Sequence, residues 1–143
     1  MIIEKQISGL SKLSAYIKDF LEKNPDIFNE DDDLFYGVLR KSQNENSWFT
    51  LENQKFALKE WADLLDDRNI EKWLSAYETA TTPKKVGLIL AGNIPMVGFH
   101  DVISVILSQN IPLIKLSSKD KTLLPFLLVK WNAFSEGNIR YEF

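Results

Sequence analysis

The sequence has 143 residues and contains no cysteine and a single histidine. Without cysteine there are no disulfides, no thiolate metal site and no cysteine nucleophile among these residues. Charge is nearly balanced: 17 Lys and Arg against 20 Asp and Glu leave a net charge of −3, so there is no basic field to hold a nucleic acid. No apolar run approaches the roughly 18 residues of a membrane span, and the start MIIEKQISGL lacks the basic residues and continuous apolar core of a signal peptide. The expected location is therefore the cytoplasm. No Gly-x-Gly-x-x-Gly, no P-loop and no metal-ligand cluster occurs. What remains is the composition of an ordinary globular protein, long enough to bury a real core.

The chain is organised around Val86 to Ser118, VGLILAGNIPMVGFHDVISVILSQNIPLIKLSS. The apolar run Val86 to Ala91 is short enough for a strand and has no helical stripe. The breakers Gly92, Asn93, Ile94 and Pro95 follow, and Pro95 suits the first position of a helix. From Met96 to Ser108 apolar residues cover most of the circumference, which predicts a helix packed on more than one side. Pro112 to Leu116 reads as a second strand. Strand, tight loop, buried helix and strand make a βαβ unit, whose parallel strands are expected to be covered by helices on their faces. Ligands of such sheets bind beyond the carboxyl ends of the strands. That places Gly92, Asn93, Lys115, Ser117 and Ser118 on one rim.

Residues 1–80 read as a helical lead-in. Ile7 to Leu21 has amphipathic spacing and ends at Asn24-Pro25. The acidic run Glu30 to Asp33 stands at the start of a second helix; it reads either as a divalent-metal site or as carboxylates favoured at a helix N-terminus. Thr50 can cap a third helix, Leu51 to Leu65, with Phe56, Leu58, Trp61, Leu64 and Leu65 as its apolar face. A fourth, Ile70 to Tyr77, turns Trp73 and Leu74 inward. The tryptophans of this region read as core. Residues 81–143 read as β-α-β-α-β, half of a doubly wound sheet. Their second helix runs from about Lys121 to Phe134; Thr122 as its cap would put Pro125 at the third helical position, Asp120 as its cap would put it deeper with a kink, and Ile139 to Phe143 forms a third strand. A parallel strand at the last residue would be an uncovered edge, so the expectation is the N-terminal piece of a longer protein.

AGNIP and IPLIKLSSKDKT resemble the two nucleotide-side signatures of the aldehyde dehydrogenase superfamily. They are closer still to fatty-acyl-CoA reductases of the bacterial bioluminescence type, with the similarity strongest over Val86 to Phe143. The resemblance implies an α/β, Rossmann-like sheet of aldehyde dehydrogenase type. It also implies that an acyl-CoA passes its acyl group to a cysteine, here outside these residues, and is released as a fatty aldehyde by hydride from a nicotinamide.

In that resemblance Asn93 is the catalytic amide that donates to the thioester oxygen; read alone, it is a residue that caps the helix or turns the chain. Lys115 would hold the adenosine ribose, where the alternative is a lysine reaching solvent from a strand end. Ser118 stands where many NAD-dependent relatives carry a glutamate, so Ser118, Ser117 and Lys119 leave room for a 2′-phosphate and favour NADPH. Ala91 and Gly92 complete the cofactor loop. Leu116 departs from the family's proline. His100, beside Asp101 on the buried helix, reads as packed rather than as a general base. The implied partners are an acyl-CoA and either further copies of the chain or acyl-transfer enzymes. Two rival readings are a non-catalytic nucleotide-binding or interaction domain, and a reductase of acyl phosphates.

Overall fold

The computed structural model describes residues 2–143, a mixed assembly of six α-helices and a two-stranded parallel sheet. Helix α1 (Ile2–Glu22) starts earlier than its spacing suggests and buries Leu10, Leu13, Ile17 and Phe20. Helix α2 (Glu30–Glu45) follows a short 3-10 turn at Pro25–Ile27 and opens with a capping box. The Asn29 side chain accepts from the Asp32 N–H at 2.8 Å, and the Asp32 carboxylate accepts from the Asn29 N–H at 3.0 Å.

The acidic run is thus committed to local bonding. Lys23 reaches Asp32 at 2.8 Å, and the two donors hold the Asp32 carboxyl below its usual range. Asp31 accepts from the Tyr16 hydroxyl at 2.6 Å and pairs with Lys130, tying α1 and α2 to the helix that carries Lys130. Among the described residues no cluster of His, Asp and Glu could hold a metal.

Helix α3 (Leu51–Leu64) is capped by Thr50, whose hydroxyl accepts from the Asn53 N–H at 3.1 Å. Its inward face differs from the sequence expectation: Gln54, Leu58 and Ala62 are buried, while Phe56 and Leu64 are exposed. The reason is polar. The Gln54 amide donates to the carbonyls of Leu39 at 2.9 Å and Phe49 at 2.8 Å, which holds its end of the face on α2, while the face as a whole packs mainly on α1. Helix α4 (Asp67–Leu74) starts at the Asp66 cap, before Ile70, and ends before Tyr77, which is exposed.

Strands β1 (Lys85–Ile89) and β2 (Ile111–Lys115) pair in parallel from Lys85 opposite Ile111 to Ile89 opposite Lys115. Helix α5 (Phe99–Leu107) connects them, and α6 (Leu123–Phe134) follows β2, with Pro125 in its first turn. α5 packs on both strands and on α1, and α6 lies along α1. Leu88, Leu90, Ile114 and Leu116 join the same core as the helices.

Three expectations are corrected here. First, the connecting helix starts at Phe99, so Pro95 lies in a turn. Met96 has φ 62°, a left-handed conformation that no helix continues through, and Gly98 must pass β1 closely. A Cβ at Gly98 would lie 2.7 Å from the Leu90 side chain.

Second, helices do not cover both faces of β1: Lys85, Gly87 and Ile89 alternate to the open side, and Ile89 is 86% exposed.

Third, Ile139 to Phe143 is not a full strand but makes a single parallel bridge, Leu113 to Glu142. On β2 the odd-numbered N–H groups of the ladder face β1, as Ile111 to Lys84 at 2.9 Å illustrates. Residue 112 therefore faces the terminal segment, and as proline it has no N–H to donate to Arg140. Pairing is confined to Ile114 N–H to Glu142 O at 2.7 Å and Glu142 N–H to Pro112 O at 3.0 Å.

Candidate functional site

The carboxyl ends of both strands open onto two loops, 90–98 and 116–122, with the turn between α2 and α3 beside them. Together these segments form a cavity of about 290 Å³ lined by Asn46, Trp48, Gly92, Asn93, Ser117 and Lys119. Gly92 is required by close approach: a Cβ there would stand 2.3 Å from the Ser117 hydroxyl and 2.7 Å from its Cβ. The Ser117 side chain of the second loop therefore packs directly on the Gly92 backbone of the first. The Ser117 hydroxyl accepts from the Lys119 N–H at 3.2 Å, and the Ser117 carbonyl accepts from the Asp120 N–H at 3.1 Å, which folds the second loop back on itself.

Asn46, at the C-terminal cap of α2, holds the loops in place. Its side-chain amide donates at 3.2 Å to the carbonyls of both Gly92 and Lys119. A second tie lies alongside, from the Thr122 hydroxyl to the Glu45 carboxylate at 2.7 Å. The helical lead-in thus fixes the spacing of the rim although it lies far away in sequence.

Asp120 is buried behind this loop at 8% exposure, and its Oδ1 has no hydrogen-bond partner among the described residues. Burial pushes its carboxyl up to about 6. The cavity wall itself carries amides, hydroxyl and an ammonium but no carboxylate, a donor-rich set suited to an anionic, hydroxyl-bearing ligand.

Of the residues singled out from the sequence, Gly92, Asn93 and Ser117 are brought together in this cavity. Asn93 does not cap a helix, because the N-cap of α5 is Gly98. Ala91 and Ser118 are exposed on the same loops, and Lys115 ends β2 exposed, beside Ile89 on the open side of the sheet.

His100 lies elsewhere. It is exposed rather than packed in the core, on the outer side of α5 beside Trp61 and Trp73, with ring centroids 6.5 and 5.7 Å away. Two apolar grooves of about 390 and 260 Å³ meet there.

Sequence reasoning missed Asn46 and read Trp48 with the core tryptophans, whereas Trp48 is 76% exposed. The available signal was the break in helical pattern at Ser47 to Thr50, an aromatic residue in a turn.

The chain is thus an α/β protein with its candidate site on the rim where two parallel strands end. The sequence pattern of the acyl-CoA reductases (LuxC) matches residues 49–140, more than half of the chain, and the chain belongs to this family. No curated protein and no solved structure matches it. Among the described residues no helix is long and apolar enough to cross a membrane.

Proposed function

We propose that the chain is the N-terminal, cofactor-side part of an NADPH-dependent acyl-CoA reductase that forms a fatty aldehyde. In this reading residues 81–143 are the first half of a Rossmann-like domain of aldehyde dehydrogenase type, and residues 1–80 are its helical lead-in. The observation that carries it is the meeting of Gly92, Asn93 and Ser117 at one rim cavity in a member of the acyl-CoA reductase family.

The residues fit the cofactor. Ser117, Ser118 and Lys119 offer hydroxyls and an ammonium to a phosphate, and Lys115 offers donors to a ribose. NADPH, when bound, supplies the hydride. Asn93 contributes a neutral N–H donor for the thioester oxygen as negative charge grows on it, and it does so without proton exchange. The cysteine that receives the acyl group is not among these residues.

The test uses the complete reductase. Asn93→Ala lowers kcat by about a hundredfold or more, the usual loss for one oxyanion donor, and leaves the NADPH KM nearly unchanged. Lys115→Ala raises the NADPH KM instead. Small, equal effects of both variants contradict the assignment, and NADPH oxidation supported by an acyl phosphate but not by an acyl-CoA contradicts the substrate class.

A further inference from the structure

Trp48 is an exposed indole on a fixed backbone. It is 76% exposed, whereas Trp131 is fully buried and Trp61 and Trp73 pack against the core. Its backbone N–H donates to the Asn46 side-chain oxygen at 3.1 Å, and its backbone carbonyl accepts from the Asn53 side-chain amide at 3.0 Å. The next residue, Phe49, is fully buried; its N–H donates to the Asn46 carbonyl at 2.9 Å and its carbonyl accepts from Gln54 at 2.8 Å. Asn46 in turn is bonded to both rim loops.

The backbone at Trp48 is therefore held in place, and its indole lines the cavity together with Gly92, Asn93 and Lys119. Its exposure leaves a wide apolar face in water at a cavity whose lining is rich in donors and free of carboxylates. A planar ring carrying phosphate matches both properties: the ring stacks on the indole and the phosphate meets the ammonium.

We propose that Trp48 is the stacking platform for the adenine ring of a ribose-phosphorylated nucleotide at this rim. The ring belongs to NADP or to coenzyme A, which share adenine and differ in the position of the ribose phosphate. This inference rests on the reading of the rim as a nucleotide site and adds to it a binding residue from the helical lead-in.

The test is calorimetric titration of the complete reductase with adenosine 2′,5′-bisphosphate, the NADP arrangement, and adenosine 3′,5′-bisphosphate, the coenzyme A arrangement. The proteins are wild type, Trp48→Phe and Trp48→Ala, with far-ultraviolet circular dichroism as the fold control. Expected are binding by wild type, a loss of about tenfold or more in Trp48→Ala, and recovery to within about threefold of wild type in Trp48→Phe. The bisphosphate that binds more tightly identifies the source, and equal binding assigns the recognition to the shared adenine. Wild-type binding that Trp48→Ala leaves unchanged overturns this inference while the rim stays a nucleotide site. Absence of wild-type binding to either bisphosphate overturns the nucleotide reading of the rim, and this inference with it.

Discussion

Asp120 makes the stability of this protein depend on pH in an unusual direction. Its carboxyl is 8% exposed, one of its oxygens is buried without a partner, and burial raises its pKa from 3.8 to about 6. Below pH 3.8 the group is protonated in both the folded and the unfolded chain and contributes nothing to the pH dependence. Between 3.8 and about 6 the folded chain keeps a proton that the unfolded chain has released, so stability falls as pH rises. The loss accumulates at about 1.4 kcal/mol per pH unit, to roughly 3 kcal/mol at neutral pH. Asp120→Asn removes the charge with little change of shape. It is expected to be more stable than wild type at pH 7.5 by up to about 3 kcal/mol and similar to it near pH 4. The assay is urea unfolding of both proteins at half-unit steps from pH 4 to 7.5, read as the difference between them so that other titrating groups cancel. A difference that stays constant across the window refutes the reasoning, because it would mean that Asp120 titrates alike in the folded and unfolded chains.

Gly92→Ala places a Cβ 2.3 Å from the Ser117 hydroxyl and forces the two rim loops apart; thermal unfolding is expected to show a loss of about 1–3 kcal/mol. Asn46→Ala removes two hydrogen bonds to the rim, worth about 0.5–1.5 kcal/mol each, and hydrogen exchange at the amides of residues 92–93 and 119–120 should speed up accordingly. Phe35 is fully buried and stacks with Phe20 at 4.2 Å and Tyr16 at 5.5 Å, so Phe35→Ala is expected to cost about 3–5 kcal/mol in denaturant unfolding.

The βαβ unit was legible because its signals are local. An apolar run without helical period, a breaker cluster and a second apolar run specify strand, loop and strand whatever surrounds them. Thr50 as a cap and the early position of Pro125 in α6 were legible for the same reason. The departures all depend on partners distant in sequence. Whether α3 turns Phe56 or Gln54 inward is decided by the carbonyls of Leu39 and Phe49, which periodicity does not see. The late start of α5 follows from the contact of Gly98 with Leu90 and the left-handed Met96. The terminal strand is cut short by Pro112 on its neighbour, a residue whose missing donor matters only once the side of β2 it faces is known. In the site, the loop residues Gly92, Asn93 and Ser117 were readable from motif, whereas Asn46 and Trp48 enter only through tertiary packing.

The claim that the strand-end rim is a nucleotide site is tested most directly by titrating NADP into the isotopically labelled 143-residue chain and following its backbone amide resonances. The account predicts saturable shifts concentrated on residues 46–48, 91–93 and 115–119, with the amides around His100 and the α4 grooves unmoved. Saturable shifts centred on the grooves around Trp73 and His100, with the rim silent, would contradict it.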